Sequence, residues 1–398
     1  MSKLEELIEE LCPDGVEYRS FGELATILRG ASPRPIKNFI TVEEDGVNWI
    51  KIGDVAVGSK YVTHAKEKIT AMGAEKSRKV KKGDFILSNS MSFGRPYILS
   101  IDGCIHDGWL AISDFKDNFI TDFLYYLLNS TSVQQEMTKR ASFGGAVQNL
   151  NADIVKAIIL PVPPLPVQQE IVRILDNFTE LTAELTAELT ARKKQYEYYR
   201  DELLTFGDQV PMVQLSTIAQ YSKDRIDACE VDEESYVGVD NLLQQKKGKT
   251  ISTYVPSTGR LIKYNKGDVL IGNIRPYLRK IWFAINEGGT NGDVLTIRTT
   301  TNKIKPKFLF VLLSSENFFE YDNQNSKGAK MPRGDKEAVM KYMVPLPTLE
   351  DQQRIVDILD RFDALCNDIT SGLPAEIEAR TKQYEYYRDK LLTFKELV

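Results

Sequence analysis

The chain has 398 residues, of which 42% are hydrophobic and 27% charged, and this length is sufficient for two or three domains with their own cores. It shows neither a signal-peptide pattern nor a run of about 18 apolar residues, so we expect a cytoplasmic protein without a membrane span. The net charge of -5 argues against a uniformly basic nucleic-acid binder, and four scattered cysteines with two histidines indicate free thiols rather than disulfides or a metal site.

Positive charge is concentrated in two segments, one in each half of the chain. Residues 60–82 contain eight Lys or Arg and two acidic residues, and residues 244–280 contain nine Lys or Arg and one acidic residue. A single segment of this kind would be an ordinary solvated surface. Its recurrence in both halves favours a function that the two segments share.

A long amphipathic helix is predicted from Gln168 to Phe206. It follows the proline-rich segment 161–166, in which each proline disfavours helix at the residue before it. Apolar residues then recur every three or four positions, which predicts one buried face. At about 1.5 Å per residue the helix would be roughly 58 Å long, more than the width of a compact domain.

This helix contains a short tandem repeat, TAEL at 182–185 and again at 186–189. The repeat is either a sequence that simply favours helix or a ruler that sets the length of the helix. In the second case, one unit more or less would change the length by about 6 Å and the rotation by about 40°.

A second long helix is predicted from about Asp351 to Phe394, with a kink or a short break at 371–374, where Gly372 and Pro374 lie close together. Neither long helix has a partner within its own domain. The two helices are therefore expected to pack on each other as an antiparallel pair.

Internal duplication is the strongest pattern in the sequence. KQYEYYRDELLTF at 194–206 returns as KQYEYYRDKLLTF at 382–394, and QQEIVRILDNF at 168–178 returns as QQRIVDILDRF at 352–362. Earlier in each half, KKGDFILSN at Lys81–Asn89 resembles NKGDVLIGN at Asn265–Asn273, and both predict a turn followed by a short apolar strand. The repeated unit is therefore a globular domain followed by a long helix.

These patterns predict an α+β protein in which two α/β domains are joined by two long helices that form an antiparallel coiled coil, with a pseudo-twofold internal repeat. The predicted globular domains are 1–165 and 207–348. The predicted helical parts are 166–206 and 349–398.

The order of these parts resembles the specificity subunits of type I restriction-modification systems over essentially the whole chain. The resemblance rests on LCPDGVEYRSFGELA at 11–25, WIKIGDV at 49–55, the two GD turns, GGAVQNLNADIVKAIILPVPPLPVQQEIV at 144–172 and the TAEL tandem. One departure is that the helical repeats differ in length, so the internal symmetry is expected to be imperfect.

The resemblance implies that each globular part is a target-recognition domain that reads one half of a bipartite, asymmetric site in double-stranded DNA. It also implies that the helices set the gap between the halves and dock two methylation subunits, which use S-adenosylmethionine to methylate adenine. Two restriction subunits, which use ATP and Mg²⁺, would complete the nuclease.

Residue type indicates the candidate DNA contacts, because Lys and Arg bind phosphates whereas Arg, Asn, Gln, Ser and Thr read base edges. In the first domain the predicted contacts are Arg29, Ser32, Arg34, Lys81, Asn89, Ser90, Ser92, Arg95 and Gln148. In the second domain they are Lys247, Arg260, Asn273, Arg275, Tyr277, Arg279, Lys330 and Arg333.

A second group of residues is predicted to form the spacer helices and to dock the partner subunits. In the central helix these are Gln168, Gln169, Ile171, Leu175, Leu185, Leu189, Tyr196 and Tyr199. In the C-terminal helix they are Gln352, Gln353, Ile355, Leu359, Tyr384 and Tyr387.

No catalytic residues, metal ligands or cofactor of the chain's own are predicted, because no adenine-methylation motif, phosphate loop or HExxH motif occurs. One alternative is a coiled-coil scaffold whose domains bind protein, which would show no salt-dependent DNA binding. Another is an enzyme with an unrecognised active site, which methylation by the purified chain alone would support.

Overall fold

The structure is a computed structural model that describes residues 2–56, 58–89, 93–141, 150–367 and 372–397. It divides into two compact units. Unit 1 comprises Met1–Leu185 and Ile377–Val398, and unit 2 comprises Thr186–Glu376.

Helices and strands alternate along the described chain, and their bounds are as follows. The helices are α1 (Lys3–Leu11), α2 (Phe21–Leu24), α3 (Ala71–Glu75), α4 (Thr121–Leu128), α5 (Thr131–Ala141), α6 (Ala152–Lys156), α7 (Leu165–Leu203), α8 (Pro306–Leu313), α9 (Glu316–Gln324), α10 (Lys336–Lys341), α11 (Leu349–Asn367) and α12 (Leu373–Leu391). The strands of unit 1 are β1 (Glu17–Ser20), β2 (Thr26–Arg29), β3 (Ile40–Thr41), β4 (Val47–Ile50), β5 (Tyr61–Val62), β6 (Glu67–Ile69), β7 (Arg78–Val80), β8 (Phe85–Ser88), β9 (Pro96–Leu99), β10 (Gly103–Ile105), β11 (Trp109–Ser113) and β12 (Ile159–Val162). The strands of unit 2 are β13 (Met212–Gln214), β14 (Ala219–Tyr221), β15 (Arg225–Asp227), β16 (Tyr236–Val237), β17 (Arg260–Tyr264), β18 (Val269–Gly272), β19 (Ile281–Phe283), β20 (Gly288–Thr290), β21 (Val294–Thr299) and β22 (Met343–Pro345).

Unit 1 is built on two five-stranded sheets, with strand orders β3-β6-β4-β10-β7 and β2-β11-β8-β9-β5, and a two-stranded sheet β1-β12. The second five-stranded sheet is buried on both faces, because alternate side chains of β8 enter different cores. Phe85 and Leu87 pack with the helices, whereas Ile86 packs with Trp109 and residues of the other sheet. The sheet is thus a rigid middle layer.

Unit 2 repeats this construction with two four-stranded sheets, ordered β14-β21-β18-β19 and β15-β17-β20-β16, and the pair β13-β22. Val269 and Ile271 face the helices, and Leu270 faces the other core. In each unit the central strand follows a Gly-Asp turn in which the glycine has positive φ, 91° at Gly83 and 94° at Gly267. The predicted turn and strand are therefore present in both copies.

The α7 helix begins at Leu165 and ends at Leu203, before the predicted end at Phe206, and it contains 39 residues. Its residues up to Leu185 belong to unit 1, and those from Thr186 belong to unit 2. In unit 1, Phe178 of α7 stacks on Tyr387 of α12 with ring centroids 5.5 Å apart. The apolar face predicted for the central helix therefore contacts α12 at Phe178, whereas Ile171 and Leu175 of the same face pack in the core of unit 1.

In unit 2, the second part of α7 runs antiparallel to α11. The Tyr196 ring lies 6.5 Å from that of Phe362. Burial raises the pKa of the Cys366 thiol, later in α11, and the nearby charge of Arg192, earlier in α7, opposes this effect. Residue numbers thus rise along α7 where they fall along α11, which is the antiparallel orientation predicted for the helix pair. The predicted break at 371–374 corresponds to the end of α11 at Asn367 and the start of α12 at Leu373, and Ser371 lies outside the described residues.

The last described residues of the chain complete unit 1. Val16 forms a parallel bridge with Glu396, and the Tyr18 hydroxyl donates a hydrogen bond of 2.9 Å to the carbonyl of Phe394. A side chain on Gly15 would lie 2.6 Å from the carbonyl of Lys395, so glycine is needed where the two segments meet. The first globular unit therefore depends on residues from the far end of the sequence.

None of the helices in the described ranges is both long and apolar enough to cross a membrane.

Candidate nucleic-acid interface

Four predicted DNA-contact residues of unit 1 converge on the loop between β10 and β11. The carboxylate of Asp107 accepts a hydrogen bond of 2.8 Å from the Ser32 hydroxyl and lies 3.3 Å from Nη2 of Arg34. The backbone carbonyl of Asp107 accepts from Nδ2 of Asn89 at 2.9 Å and from Nε of Arg29 at 3.3 Å. Because β11 pairs with both β2 and β8, the ends of those strands meet this loop.

The electrostatics of this loop keep Asp107 ionised at neutral pH. The hydrogen bond from Ser32 holds the pKa of the Asp107 carboxyl below its usual range, and nearby His106 and Arg34 act in the same direction. Burial lowers the pKa of the neighbouring His106, which is therefore neutral at pH 7. The loop thus carries a fixed negative charge beside exposed arginines.

In unit 2, residues at the corresponding strand ends are joined in a similar way. The backbone N–H of Asn273, directly after β18, donates to the carbonyl of Asp293 at 2.8 Å, as the N–H of Asn89 does to Gly108 at 3.2 Å. The carboxylate of Asp293 lies 3.0 Å from Nη2 of Arg333. Both units therefore place an aspartate of the loop that links the two sheets, β10–β11 or β20–β21, against an arginine from a separate segment.

Arg275 and Arg333 come together through the backbone. The N–H of Arg275 donates a hydrogen bond of 2.7 Å to the carbonyl of Pro332, and Arg275 has a left-handed φ of 54°. Non-glycine residues rarely adopt this conformation, and it persists only where the surroundings enforce it. The side chain of Arg275 is exposed, and no ion pair involves it within the described part of the chain.

The side chains of Asn89 and Asn273 are buried, with 3% and 5% of their surface exposed. Neither side chain is accessible in this structure, and the prediction that these two residues contact DNA stays a prediction. Their backbone groups instead fix the adjoining loops, since Asn89 and Asn273 accept hydrogen bonds from the N–H groups of Leu150 and Gly334.

A buried carboxylate lies beneath the unit 2 site. Asp322 of α9 is 1% exposed, and burial raises its pKa from 3.8 to about 6. Among the described residues, both of its oxygens and Oδ1 of Asn273 lack a hydrogen-bond partner. A Cβ placed on Gly334 would lie 2.4 Å from Oδ1 of Asp322 and 2.8 Å from Oδ1 of Asn273, so only glycine fits there.

Arg279 is engaged in a half-buried ion cluster. Its Nη1 lies 2.8 Å from Oε2 of Glu316, whose other oxygen lies 2.7 Å from Nζ of Lys246. Burial lowers the pKa of Lys246. This cluster joins two loops, one with the exposed Lys247 and one with the exposed Tyr277, to Glu316 of α9. Arg279 therefore has a structural role that the sequence did not reveal.

The remaining predicted contacts are dispersed. Arg95 is exposed next to the end of β8, and Lys330 is exposed in the loop that ends at Arg333. Lys81 lies at the turn before β8, the opposite end of that strand from Asn89, and Arg260 pairs with Asp227 on the other sheet. The structure does not bring those two residues into either cluster.

Three further predicted contacts, Ser90, Ser92 and Gln148, lie outside the described residues.

The first glutamine of each QQ pair anchors its helix to its own unit. Gln168 is fully buried, accepts from the N–H of Ile120 at 2.8 Å and donates to the carbonyls of Asn118 and Pro163, both at 2.8 Å. Gln352 makes the equivalent three bonds to residues 305, 303 and 347. Neither side chain is accessible in this structure, where each holds the start of its spacer helix, and a docking role for the two glutamines stays a prediction.

Four apolar residues predicted for the helices are also buried in the unit cores: Ile171, Leu175, Ile355 and Leu359. The exposed or half-exposed members of the predicted docking set are Gln169, Leu185, Leu189, Tyr196, Tyr199, Gln353, Tyr384 and Tyr387. Only this second group remains available to a partner.

Asp107, Asp293 and Asp322 are not among the DNA contacts predicted from the sequence. Aspartates are common in loops, and no motif distinguishes these three. An alignment of the two halves by their strands could have found two of them. It places Asp107 between β10 and β11 and Asp293 between the corresponding strands β20 and β21.

A family model described as the type I restriction modification DNA specificity domain matches residues 13–192 and 213–379. The chain is similar to the type I restriction enzyme EcoR124I/EcoR124II specificity subunit of Escherichia coli, with 35% identity over 267 residues that cover 60% of this chain and 63% of that protein. It is also similar to a putative type I restriction enzyme specificity subunit of Haemophilus influenzae, with 28% identity over 417 residues and 98% of each chain covered.

Two solved structures have a similar fold. A chain from the structure of complex assembly and conformational transition of the type I R-M system gives a TM-score of 0.69 at 16% identity, with 96% of this chain and 98% of that chain covered. The HsdS subunit from Thermoanaerobacter tengcongensis gives a TM-score of 0.50 at 15% identity, with 97% and 98% covered. The predicted α+β class with two similar globular parts and long helices is confirmed.

Proposed function

The chain belongs to the family of type I restriction modification DNA specificity proteins, and on that premise we propose that it selects the DNA sequence on which a type I restriction-modification enzyme acts. It supplies recognition, and the chemistry belongs to other subunits. Because its ligand is cellular DNA, we expect it to act in the cytoplasm.

We infer that each unit reads one half of a bipartite, asymmetric DNA site. The observation that supports this is that each unit has, in the loop before β11 or β21, an aspartate that faces an exposed arginine from another segment, Asp107 with Arg34 and Asp293 with Arg333. The surrounding segments differ in length: between the asparagine after the strand and the Arg-Pro-Tyr that both units share, unit 1 has five residues and unit 2 has one. A shared frame with different reading residues is what recognition of two unlike half-sites requires.

The long helices are proposed to fix the gap between the half-sites. A helix of 39 residues is roughly 58 Å long, which exceeds the spacing of about 34 Å for one turn of B-DNA. We retain the predicted division into recognition parts, 1–165 and 207–348, and spacer parts, 166–206 and 349–398. Two readers joined by a spacer gain affinity because the second binds at a high effective concentration.

Two methylation subunits are proposed to dock on the helical parts, one for each copy of the KQYEYYRD sequence. Tyr199 and Tyr387 occupy the same position in the two copies and are 39% and 37% exposed, which makes them equivalent candidates for the two docking sites. S-adenosylmethionine for adenine methylation, and ATP with Mg²⁺ for restriction, would be bound by the partner subunits.

The proposal is tested by expressing the full chain with its methylation subunit in a host that lacks adenine methylation and mapping methylated adenines across the genome. We expect a single bipartite motif with a fixed gap. Methylation without a motif, or the same motif in the absence of this chain, would contradict the proposal. A chain that binds protein but shows no salt-dependent affinity for duplexes that carry the motif would support the scaffold alternative.

A further inference from the structure

In the described part of each unit, an exposed arginine is held by a carboxylate from a different loop, at the end of the sheet where the candidate contacts gather. The Arg34 side chain is 83% exposed and lies 3.3 Å from Asp107, and the Arg333 side chain is 57% exposed and lies 3.0 Å from Asp293. In each pair the contact is made through Nη2. The other donors of the guanidinium remain directed to solvent or available to a ligand.

We propose that Arg34 and Arg333 each read a guanine, one in each half-site, and that Asp107 and Asp293 are positioning residues that hold the two guanidinium groups for bidentate contact with guanine O6 and N7. This inference rests on the proposed function and adds to it the residues that specify one base in each half.

Guanine is the expected base because its major-groove edge offers two adjacent acceptors, O6 and N7, which match the planar fork of arginine. An arginine without a fixed orientation would lose rotamer freedom on binding, and it could serve a phosphate equally well. An aspartate that already holds one guanidinium nitrogen reduces the rotamer freedom that the arginine loses on binding. The arrangement therefore favours base reading over a phosphate contact.

The carboxylates are themselves fixed, so each can act as a support. Asp107 accepts a hydrogen bond of 2.8 Å from the Ser32 hydroxyl, which keeps the carboxyl ionised. Asp293 is held through its backbone, since its N–H donates to Oδ1 of Asn291 at 3.0 Å and its carbonyl accepts from Asn273 at 2.8 Å. Different neighbours thus produce the same aspartate-arginine pair in the two units.

The other exposed arginines, as far as the described residues show, lack this combination. Arg29 contacts a backbone carbonyl rather than a carboxylate, and Arg260 pairs with Asp227 at 3.7 Å on the other sheet. Arg19 pairs with Glu23 at 3.5 Å near the start of unit 1, away from the β10–β11 loop. Arg19→Ala therefore removes an exposed arginine-carboxylate pair of similar kind and is the matched control.

The test measures methylation of a library of duplexes in which each base of both half-sites is varied, using the full chain with its methylation subunit. For Arg34→Ala, we expect the preference for guanine to fall about tenfold or more at one position of one half-site, with the other half-site and the gap unchanged. Arg333→Ala should do the same in the other half-site. Arg19→Ala should leave every position unchanged.

Double variants distinguish positioning from direct contact. If Asp107 acts through Arg34, Asp107→Asn should weaken the same guanine preference in the wild-type background and have no further effect when Arg34 is alanine. An undiminished effect of Asp107→Asn in that background would overturn the positioning role.

A uniform loss of affinity for all sequences, with a salt dependence reduced by about one ion, would show phosphate contacts by the arginines and overturn base reading. If Arg34→Lys retains full guanine preference, bidentate reading is also overturned. The failure of the proposed function would look different, because the wild-type protein would then show no sequence preference at all.

Discussion

Replacing Asp322 should make unit 2 more stable at neutral pH, although the residue lies in a native core. The carboxyl is 1% exposed, and its pKa is raised by burial from 3.8 to about 6. At 1.36 kcal/mol per pKa unit, the ionised group destabilises the folded state by roughly 3 kcal/mol above pH 6. In unit 1 the residue at the equivalent helix position is Met137, which is fully buried in the apolar core.

The sign of the pH dependence follows from proton binding. The folded state binds the Asp322 proton more tightly than the unfolded state, so stability falls as pH rises from about 4 to about 6 and is constant above that range. Asp322→Asn removes the titration while conserving the shape. We expect it to stabilise unit 2 by up to about 3 kcal/mol at pH 8 and by much less near pH 4. Asp322→Met should act in the same direction.

The assay is urea unfolding at pH 4 and pH 8, followed by tryptophan fluorescence. The chain has three tryptophans, and a background with Trp49→Phe and Trp109→Phe leaves Trp282 as the only reporter, located in unit 2. A stability gain that is the same at both pH values would refute the electrostatic explanation. Equal stability of the Asp, Asn and Met forms at pH 8 would refute the reasoning altogether.

Three other expectations concern the helices and the interface. Inserting one TAEL unit after Leu189 adds about 6 Å of helix and should lengthen the gap in the methylated motif by roughly one to two base pairs. Both half-sequences should stay as they were. A changed half-sequence or an unchanged gap would count against the ruler. Gln168→Ala should lower the stability of unit 1 by about 2–5 kcal/mol in thermal unfolding, because one N–H and two carbonyls lose their partner. The exposed Gln169→Ala is the control and should change the stability by less than about 0.5 kcal/mol. Equal effects of the two changes would argue against the anchoring role of Gln168. Lys247→Ala should weaken the binding of all duplexes to a similar extent and reduce the salt dependence of binding by about one ion. Fluorescence anisotropy at several salt concentrations measures both. A loss of affinity confined to certain sequences would instead assign Lys247 to base reading.

The elements that sequence patterns predicted well are those encoded by local repetition. The helical periodicity of α7, the turns at Gly83 and Gly267, and the strands after them all depend on residues within a few positions of each other. Duplication strengthened these predictions, because each pattern could be read twice. The outer ends were less accurate, since the helix predicted to start at Gln168 begins at Leu165.

The candidate site was harder to predict because its parts come from distant segments. Ser32, Arg34, Asn89 and Asp107 meet only after three strands have paired, and no spacing in the sequence encodes that meeting. Residue type also misled. Gln168 looks like a surface residue, yet its amide is buried because three backbone groups require partners at the start of α7.

Because Val16 pairs with Glu396, the two units have all their residues at different times during synthesis. Unit 2 is one continuous stretch, Thr186–Glu376, so every residue it needs has been translated once Glu376 emerges from the ribosome. Unit 1 begins earlier but must wait for Ile377 and the residues after it, including Leu392, which is buried in its core. The unit made first is therefore the last to be finished, and a chain cut short near its end would leave the earlier-made unit, rather than the later one, without part of its interior.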